Sequence, residues 1–167
     1  GLTNFYRTYG AKYALGVILF DMGKTVVACL LGGTLFSCLF GDWTLGVLLG
    51  GLGCELGHMF PVFFGGKGIL SGGTLVWLLN WRIGLIAWGL FAVLWLLTRY
   101  VSLGSLCATL SMPVSTYFFC GRSVLYTVLA VLVASLVVWC HRENITRLLR
   151  HEERRFRWHT GAPKDNE

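Results

Sequence analysis

Residues 12–38, KYALGVILFDMGKTVVACLLGGTLFSC, form a 27-residue run whose only charges after Lys12 are Asp21 and Lys24. A helix of that length spans about 40 Å, more than the roughly 30 Å of a bilayer's hydrocarbon core. Asp21 and Lys24 are three residues apart, so they can pair along one helix face and lower the cost of holding both charges in an apolar medium. This run decides the fold class: a helix in a membrane.

The rest of the chain repeats the pattern. Apolar stretches cover Trp43–Leu56, Ile69–Leu79, Ile83–Leu97, the segment after Arg99 to about Cys120, and Ser123–Cys140. Gly41-Asp42, GHMFPVFFGGKG (57–68), Asn80-Trp81-Arg82, RYVSLGS (99–105) and CGRS (120–123) separate them. Pro61 and the glycines after it predict a loop over 57–68, and Met112-Pro113 predicts a break in the fifth stretch. Ile69–Leu79 is too short to span alone and reads as a half-helix. The tail HRENITRLLRHEERRFRWHTGAPKDNE reads as a short interfacial helix with a frayed end. The expected fold is all-α, a polytopic transmembrane helical bundle of about six spans in one domain over residues 1–167, with residues 141–167 a charged cytoplasmic tail.

Composition agrees. With 55% hydrophobic residues, 13% charged and a mean hydropathy of +0.65, the chain carries more apolar surface than a soluble domain of 167 residues could bury. The net charge of +6 is not carried on an exposed basic face, so nucleic acid is not an expected partner. Anionic lipid headgroups and phosphorylated small molecules are. The six cysteines form no Cys-x-x-Cys pair and read as small apolar packers, and neither metal nor cofactor is expected. The polar opening GLTNFYRTYGAK, with no initiating Met and no signal peptide, reads as a loop entered from an upstream segment.

If the six segments alternate, eleven Lys and Arg residues, from Arg7 to Lys164, fall on one side, against Arg82 and Arg122 on the other. The positive-inside rule makes the first side cytoplasmic. Every unusual polar segment shares that side: Thr3, Asn4 and Arg7; His58 with Gly65, Gly66, Lys67 and Gly68; Arg99 with Ser102 and Ser105; His141, Asn144 and Arg147. Glycine-rich backbone offers unobstructed N–H donors and Lys or Arg adds charge, a combination suited to phosphate. Taken singly, each Arg reads first as a lipid anchor and each His as a hydrogen-bonded interfacial residue, whereas Lys67 in its flexible loop reads equally as a site residue. GGKG is not a P-loop, because Pro61 stands where that motif needs Gly and Gly68 where it needs Ser or Thr. No His-x-x-x-x-Asp pair, His-Glu-x-x-His site or Gly-x-Ser-x-Gly elbow occurs.

These segments resemble the bacterial integral-membrane, acyl-phosphate-dependent glycerol-3-phosphate acyltransferases. GLTNFYRTYG is similar to the end of that family's motif SGNxGxTNxxRxxG, placing Thr3, Asn4 and Arg7. DMGK resembles its Asp–Lys pair, and GHMFPVFFGGKG resembles GHxFPVFxxFKGGKG. RYVSLGS resembles VSLxS, placing Ser102 and Ser105, and HRENITRL resembles HRxNIxRL, placing His141, Asn144 and Arg147. Set against the family's pattern, the first helix and the SGN half of the first motif are missing before Gly1, and the second motif lacks one Phe-Lys. Six helices are expected where the family has seven, with a weakened phosphate site.

The resemblance implies transfer of a fatty acyl group from acyl phosphate to the sn-1 hydroxyl of glycerol-3-phosphate, giving lysophosphatidic acid and phosphate for phospholipid synthesis at the cytoplasmic face of a bacterial inner membrane. It implies that Lys67 and the glycines bind one substrate phosphate and Arg7 the other. His141 and Asn144 would orient glycerol-3-phosphate, Ser102 would donate to a phosphate oxygen, and Asp21 and Lys24 would support the site. The hydroxyl proton would go to His58, His141 or the acyl phosphate. A transporter or scaffold for phosphorylated lipids is the alternative, disfavoured because the outer side offers so few polar groups.

Overall fold

In a computed structural model of the protein, residue 6, residues 11–60 and residues 66–156 are described. They form seven helices and no strand. These are α1 (Ala11–Phe40), α2 (Trp43–Met59), α3 (Ile69–Leu79), α4 (Trp81–Thr98), α5 (Val101–Phe119), α6 (Val124–Cys140) and α7 (Arg142–Leu149). The six apolar stretches are thus six helices, and the interfacial helix expected in the tail is α7.

Local chemistry sets the ends. Gly41, at φ 68°, turns the chain after α1, and Asp42 caps α2 by accepting from the Leu45 N–H at 2.9 Å. The other oxygen of Asp42 accepts from Tyr126 Oη at 2.8 Å, tying this turn to α6. Asn80 alone separates α3 from α4, ending one helix and capping the next through Arg82 N at 2.9 Å. Gly121 and Arg122, both with positive φ, turn α5 into α6.

Two expected breaks lie elsewhere. α2 runs three residues past Leu56 to Met59, and Phe60, at φ −120°, is the first to leave the helix. A proline disfavours the helical conformation of the residue before it, here Phe60, and α2 ends there. Pro113 lies inside α5, which continues to Phe119; a helix held by neighbours in an apolar bundle tolerates one missing N–H.

α1 packs along α2 most closely. A methyl on Gly46 would strike the Gly32 carbonyl, and one on Gly50 the Ala28 carbonyl, so small residues let the two backbones approach, as expected where lipid supplies no hydrophobic drive between helices. Val47, Leu48, Leu75, Ile83, Ala130 and Val133 form the dry centre, drawn from α2, α3, α4 and α6. The outward surface is apolar: Phe20 is 74% exposed, Leu31 67% and Leu97 77%. Such a surface is stable in lipid and not in water.

By length and composition alone, Lys12–Phe40 and Trp81–Thr98 could each cross a membrane, and α6 with α7, bent by 62° at His141, could make a third span. The expectation of about six spans counted α2, α3 and α5 too. α2 and α3 are 17 and 11 residues long, and α5 carries Ser and Thr on several faces.

Candidate active site

α1 overshoots its partner. Counting back from the Gly41 turn, about 20 residues of span end near Asp21. The Asp21–Lys24 pair therefore lies level with the end of α2 rather than in mid-membrane. Lys24 Nζ is 2.7 Å from Asp21 Oδ1 and 2.7 Å from His58 Nδ1. An ammonium only donates, so His58 Nδ1 accepts and its proton sits on Nε2. That Nε2 occupies the place a methyl on Gly66 would take, and Gly66 N donates to the His58 carbonyl at 3.2 Å. The Asp21–Lys24–His58 row thus underlies the Gly-Lys-Gly loop.

The loop's cation points the other way. Lys67 Nζ donates to Asn144 Oδ1 on α7. Asn144 Nδ2 in turn donates to Glu153 Oε1 at 2.9 Å, fixing the orientation of the amide at both ends. The same Glu153 oxygen accepts from Ser102 Oγ at 2.8 Å, and its partner oxygen from Arg147 Nε at 2.9 Å. One carboxylate thus gathers α5, α7 and the chain beyond α7. That chain folds back: Phe156 N donates to the Arg99 carbonyl at 2.8 Å and its ring packs edge-on against Trp95, with centroids 5.6 Å apart. Residues 150–156 are accordingly a docked strap, and the frayed end expected after the interfacial helix extends into residues 157–167, outside the described residues.

His141 sits at the bend between α6 and α7, 3% exposed, with Nδ1 2.8 Å from the Val137 carbonyl. A carbonyl only accepts, so Nδ1 carries the proton and Nε2 keeps its lone pair. The two histidines consequently have opposite tautomers: His58 offers an N–H and His141 an acceptor.

Electrostatics follow from this packing. Burial pulls the Lys67 ammonium below its ordinary range, and the charge of Arg147 adds to that. Burial alone would raise the Glu153 carboxyl, but hydrogen bonds from Asn144, Arg147 and Ser102 outweigh it and hold the group below the usual glutamate value.

The structure therefore brings Lys67, Ser102, Asn144 and Arg147 into one network beside His141, and Asp21, Lys24, His58 and Gly66 into a second. Ser102 gives its proton to Glu153 rather than facing outward. Ser105, buried one turn further along α5, takes no part in the Glu153 network. Gly68 carries the left-handed turn that starts α3, at φ 77°. Thr3, Asn4, Arg7 and Gly65 lie outside the described residues. Sequence reading missed Glu153; the available signal was an acid in a strongly basic tail facing a cluster of cations.

The family model described as glycerol-3-phosphate acyltransferase matches residues 1–151. Glycerol-3-phosphate acyltransferases of Prochlorococcus marinus (strain MIT 9215) and Aquifex aeolicus (strain VF5) are 34% and 35% identical to it over 157 and 159 residues. These alignments cover 92% and 93% of this chain and 77% and 80% of the relatives. The crystal structure of PlsY (YgiH), an integral membrane glycerol 3-phosphate acyltransferase in its glycerol 3-phosphate form, superposes with a TM-score of 0.79 at 34% identity. That match covers 94% of this chain and 78% of the other. None of these likenesses favours a transporter or scaffold. The helical bundle, its lipid-compatible surface and these matches together show that the chain belongs to the glycerol-3-phosphate acyltransferase family, membrane enzymes that acylate glycerol-3-phosphate.

Proposed function

We propose that the acyl donor is an acyl phosphate and that the transfer takes place around Lys67, at the cytoplasmic face of a bacterial inner membrane. The chain acts as one catalytic unit, its acyl substrate embedded among the membrane lipids and its charged tail on the cytoplasmic side. In the reaction the sn-1 hydroxyl oxygen of glycerol-3-phosphate attacks the acyl carbonyl carbon. The bond from that carbon to the phosphate oxygen breaks, and inorganic phosphate leaves. An acyl phosphate is a mixed anhydride with a good leaving group, so positioning and charge suffice without a covalent intermediate.

The single observation that carries this reading is the Lys67–Asn144–Glu153 chain of hydrogen bonds, which holds a cation on a glycine-rich loop beside a histidine with a free lone pair. Lys67, with Gly65, Gly66 and Gly68, binds one substrate phosphate and Arg7 the other, alongside Thr3 and Asn4. Asn144 and His141 orient the hydroxyl. His58, whose Nδ1 is occupied by Lys24, serves as an N–H donor toward the loop and not as the base. The hydroxyl proton passes to His141 Nε2 or to the departing phosphate. Ser102, Ser105 and Arg147 support these groups, Ser102 and Arg147 through Glu153, and Asp21 and Lys24 support them through His58.

The donor is tested by supplying reconstituted protein and labelled glycerol-3-phosphate with palmitoyl phosphate or palmitoyl-CoA. Lysophosphatidic acid should form from the first and not the second. Formation only from the thioester would remove acyl phosphate from the account.

A further inference from the structure

Glu55 stands apart from the groups used so far. It lies in α2 one turn before His58, fully buried, and neither carboxyl oxygen has a hydrogen-bond partner among the described residues. Ser71 Oγ, in the first turn of α3, is likewise fully buried and unpartnered. Burying a carboxyl without partners is unfavourable in any protein and more so in an apolar bundle. Leucine, as at neighbouring positions 52 and 56, would carry no such penalty.

What the carboxyl does is fill a specific space. A methyl added to Gly68 would collide with Glu55 Oε2 and with Met59 Cε, and one added to Gly72 would stand 3.3 Å from Glu55 Oε1. Gly68, Ser71 and Gly72 are spaced to share one face of the first turn of α3. Glu55 and Met59, one turn apart on α2, make the floor beneath that face. Gly68 starts α3 in the left-handed region, at φ 77° and ψ 6°, without a side-chain cap. A carboxyl alongside the first turn complements the positive end of the uncapped helix. Gly68 also follows Lys67 directly, so the conformation of this turn sets the direction in which the Lys67 side chain leaves the backbone.

We propose that Glu55 is a positioning residue for Lys67: its carboxyl, wedged between α2 and the first turn of α3, fixes the turn at Gly68 and thereby aims the ammonium at the substrate phosphate. The inference rests on the reading of Lys67 as a phosphate-binding group. Glu55 touches no substrate itself. Its side-chain length matters more than its charge, because the space it fills is bounded by two glycines.

Steady-state kinetics of the reconstituted enzyme, varying glycerol-3-phosphate and palmitoyl phosphate in turn, provide the test. Lys67→Arg, which keeps a cation but changes its shape and reach, identifies which KM depends on the lysine. Glu55→Asp keeps the carboxyl but draws it back by one methylene, and it should raise that same KM about tenfold or more, since misplacement of about 1 Å is enough for such losses. Glu55→Gln, equal in shape, should stay within about threefold of wild type. Adding Gly72→Ala to Glu55→Asp refills the vacated space and should bring the KM back toward wild type. The proposal is overturned if Glu55→Asp leaves both KM values within about twofold of wild type while melting temperature drops, which is the signature of a structural role alone. It is equally overturned if Glu55→Gln is as impaired as Glu55→Asp. Should Glu55→Asp fail to fold, Gly72→Ala in the wild-type background, which presses on Oε1, must raise the same KM. Full activity in Lys67→Ala would instead sink the phosphate reading of the loop, a different result from any Glu55 outcome.

Discussion

Replacing Glu153 should loosen the site from its foundation, and the geometry sets how much. The side chain is 10% exposed and accepts from Ser102, Asn144 and Arg147 at 2.8–2.9 Å. Glu153→Ala removes all three acceptor contacts, leaving the Asn144 NH2 without its acceptor and Arg147 with only a long 3.9 Å contact to Glu143. Breaking a buried pair from one side costs about 3–5 kcal/mol; Arg147, with its side chain 39% exposed, can re-solvate, which places the loss at about 3 kcal/mol. Glu153→Gln in its better orientation keeps an oxygen toward Ser102 and Asn144 but turns an NH2 toward Arg147 Nε. That costs one charge-assisted bond, about 1.5 kcal/mol. Thermal unfolding of the purified protein in detergent should therefore rank wild type above Glu153→Gln above Glu153→Ala. Acid should have a related effect. The folded carboxyl titrates below the ordinary glutamate value of 4.5, so its stabilisation is complete above that pH and lost as pH falls through the folded value. Equal melting temperatures for wild type and Glu153→Ala would refute the idea that this carboxylate holds α5, α7 and the strap together.

Burial and the charge of Arg147 depress Lys67, so kcat/KM should decline on an alkaline limb centred below the ordinary lysine value of 10.5, and Lys67→Arg should move that limb upward; a limb unmoved by the substitution would assign it to another group. Tyr126→Phe removes the bond to Asp42 at the far end of α2, roughly 25 Å along the helix from the loop, and should cost about 1 kcal/mol of stability without changing kcat or KM. Gly46→Ala forces a methyl into the Gly32 carbonyl and should prevent the α1–α2 approach, seen as loss of the monodisperse peak in size-exclusion chromatography; a normal peak with full activity would mean the two helices can separate without harm.

The helices were legible because their boundaries are written in residues with local mechanisms. Gly41-Asp42, Asn80 and Gly121-Arg122 all end or cap helices in the structure, and each does so through its own backbone angle or side-chain acceptor. Local signals misled where a neighbour overrode them. Pro61 and its glycines predict a loop from residue 57, yet α2 runs on to Met59 and ends at Phe60, and Pro113 sits in α5 without ending it. The Asp21–Lys24 pair was readable from its spacing alone, and its contact with His58 was not, since that depends on how far α1 overshoots α2.

Much of the Lys67 network was visible as types of residue on one face, but its organiser was hidden. Glu153 lies in a run that reads as solvated, and it enters the site only because Phe156 docks on Trp95 and the Arg99 carbonyl. Nothing local to residues 150–156 encodes that. Glu55 was masked in the opposite way, as one acid inside a stretch scored for its apolar character, although a lone charge among leucines and glycines in a membrane segment is itself a signal.

The most direct test of the account is release of inorganic phosphate by protein reconstituted in liposomes, mixed with palmitoyl phosphate and glycerol-3-phosphate, for wild type and Lys67→Ala. The account predicts release that requires both substrates in the wild type and is abolished in the variant, with membrane insertion unchanged. Phosphate release in Lys67→Ala at the wild-type rate would contradict the site; release without glycerol-3-phosphate would contradict the transfer.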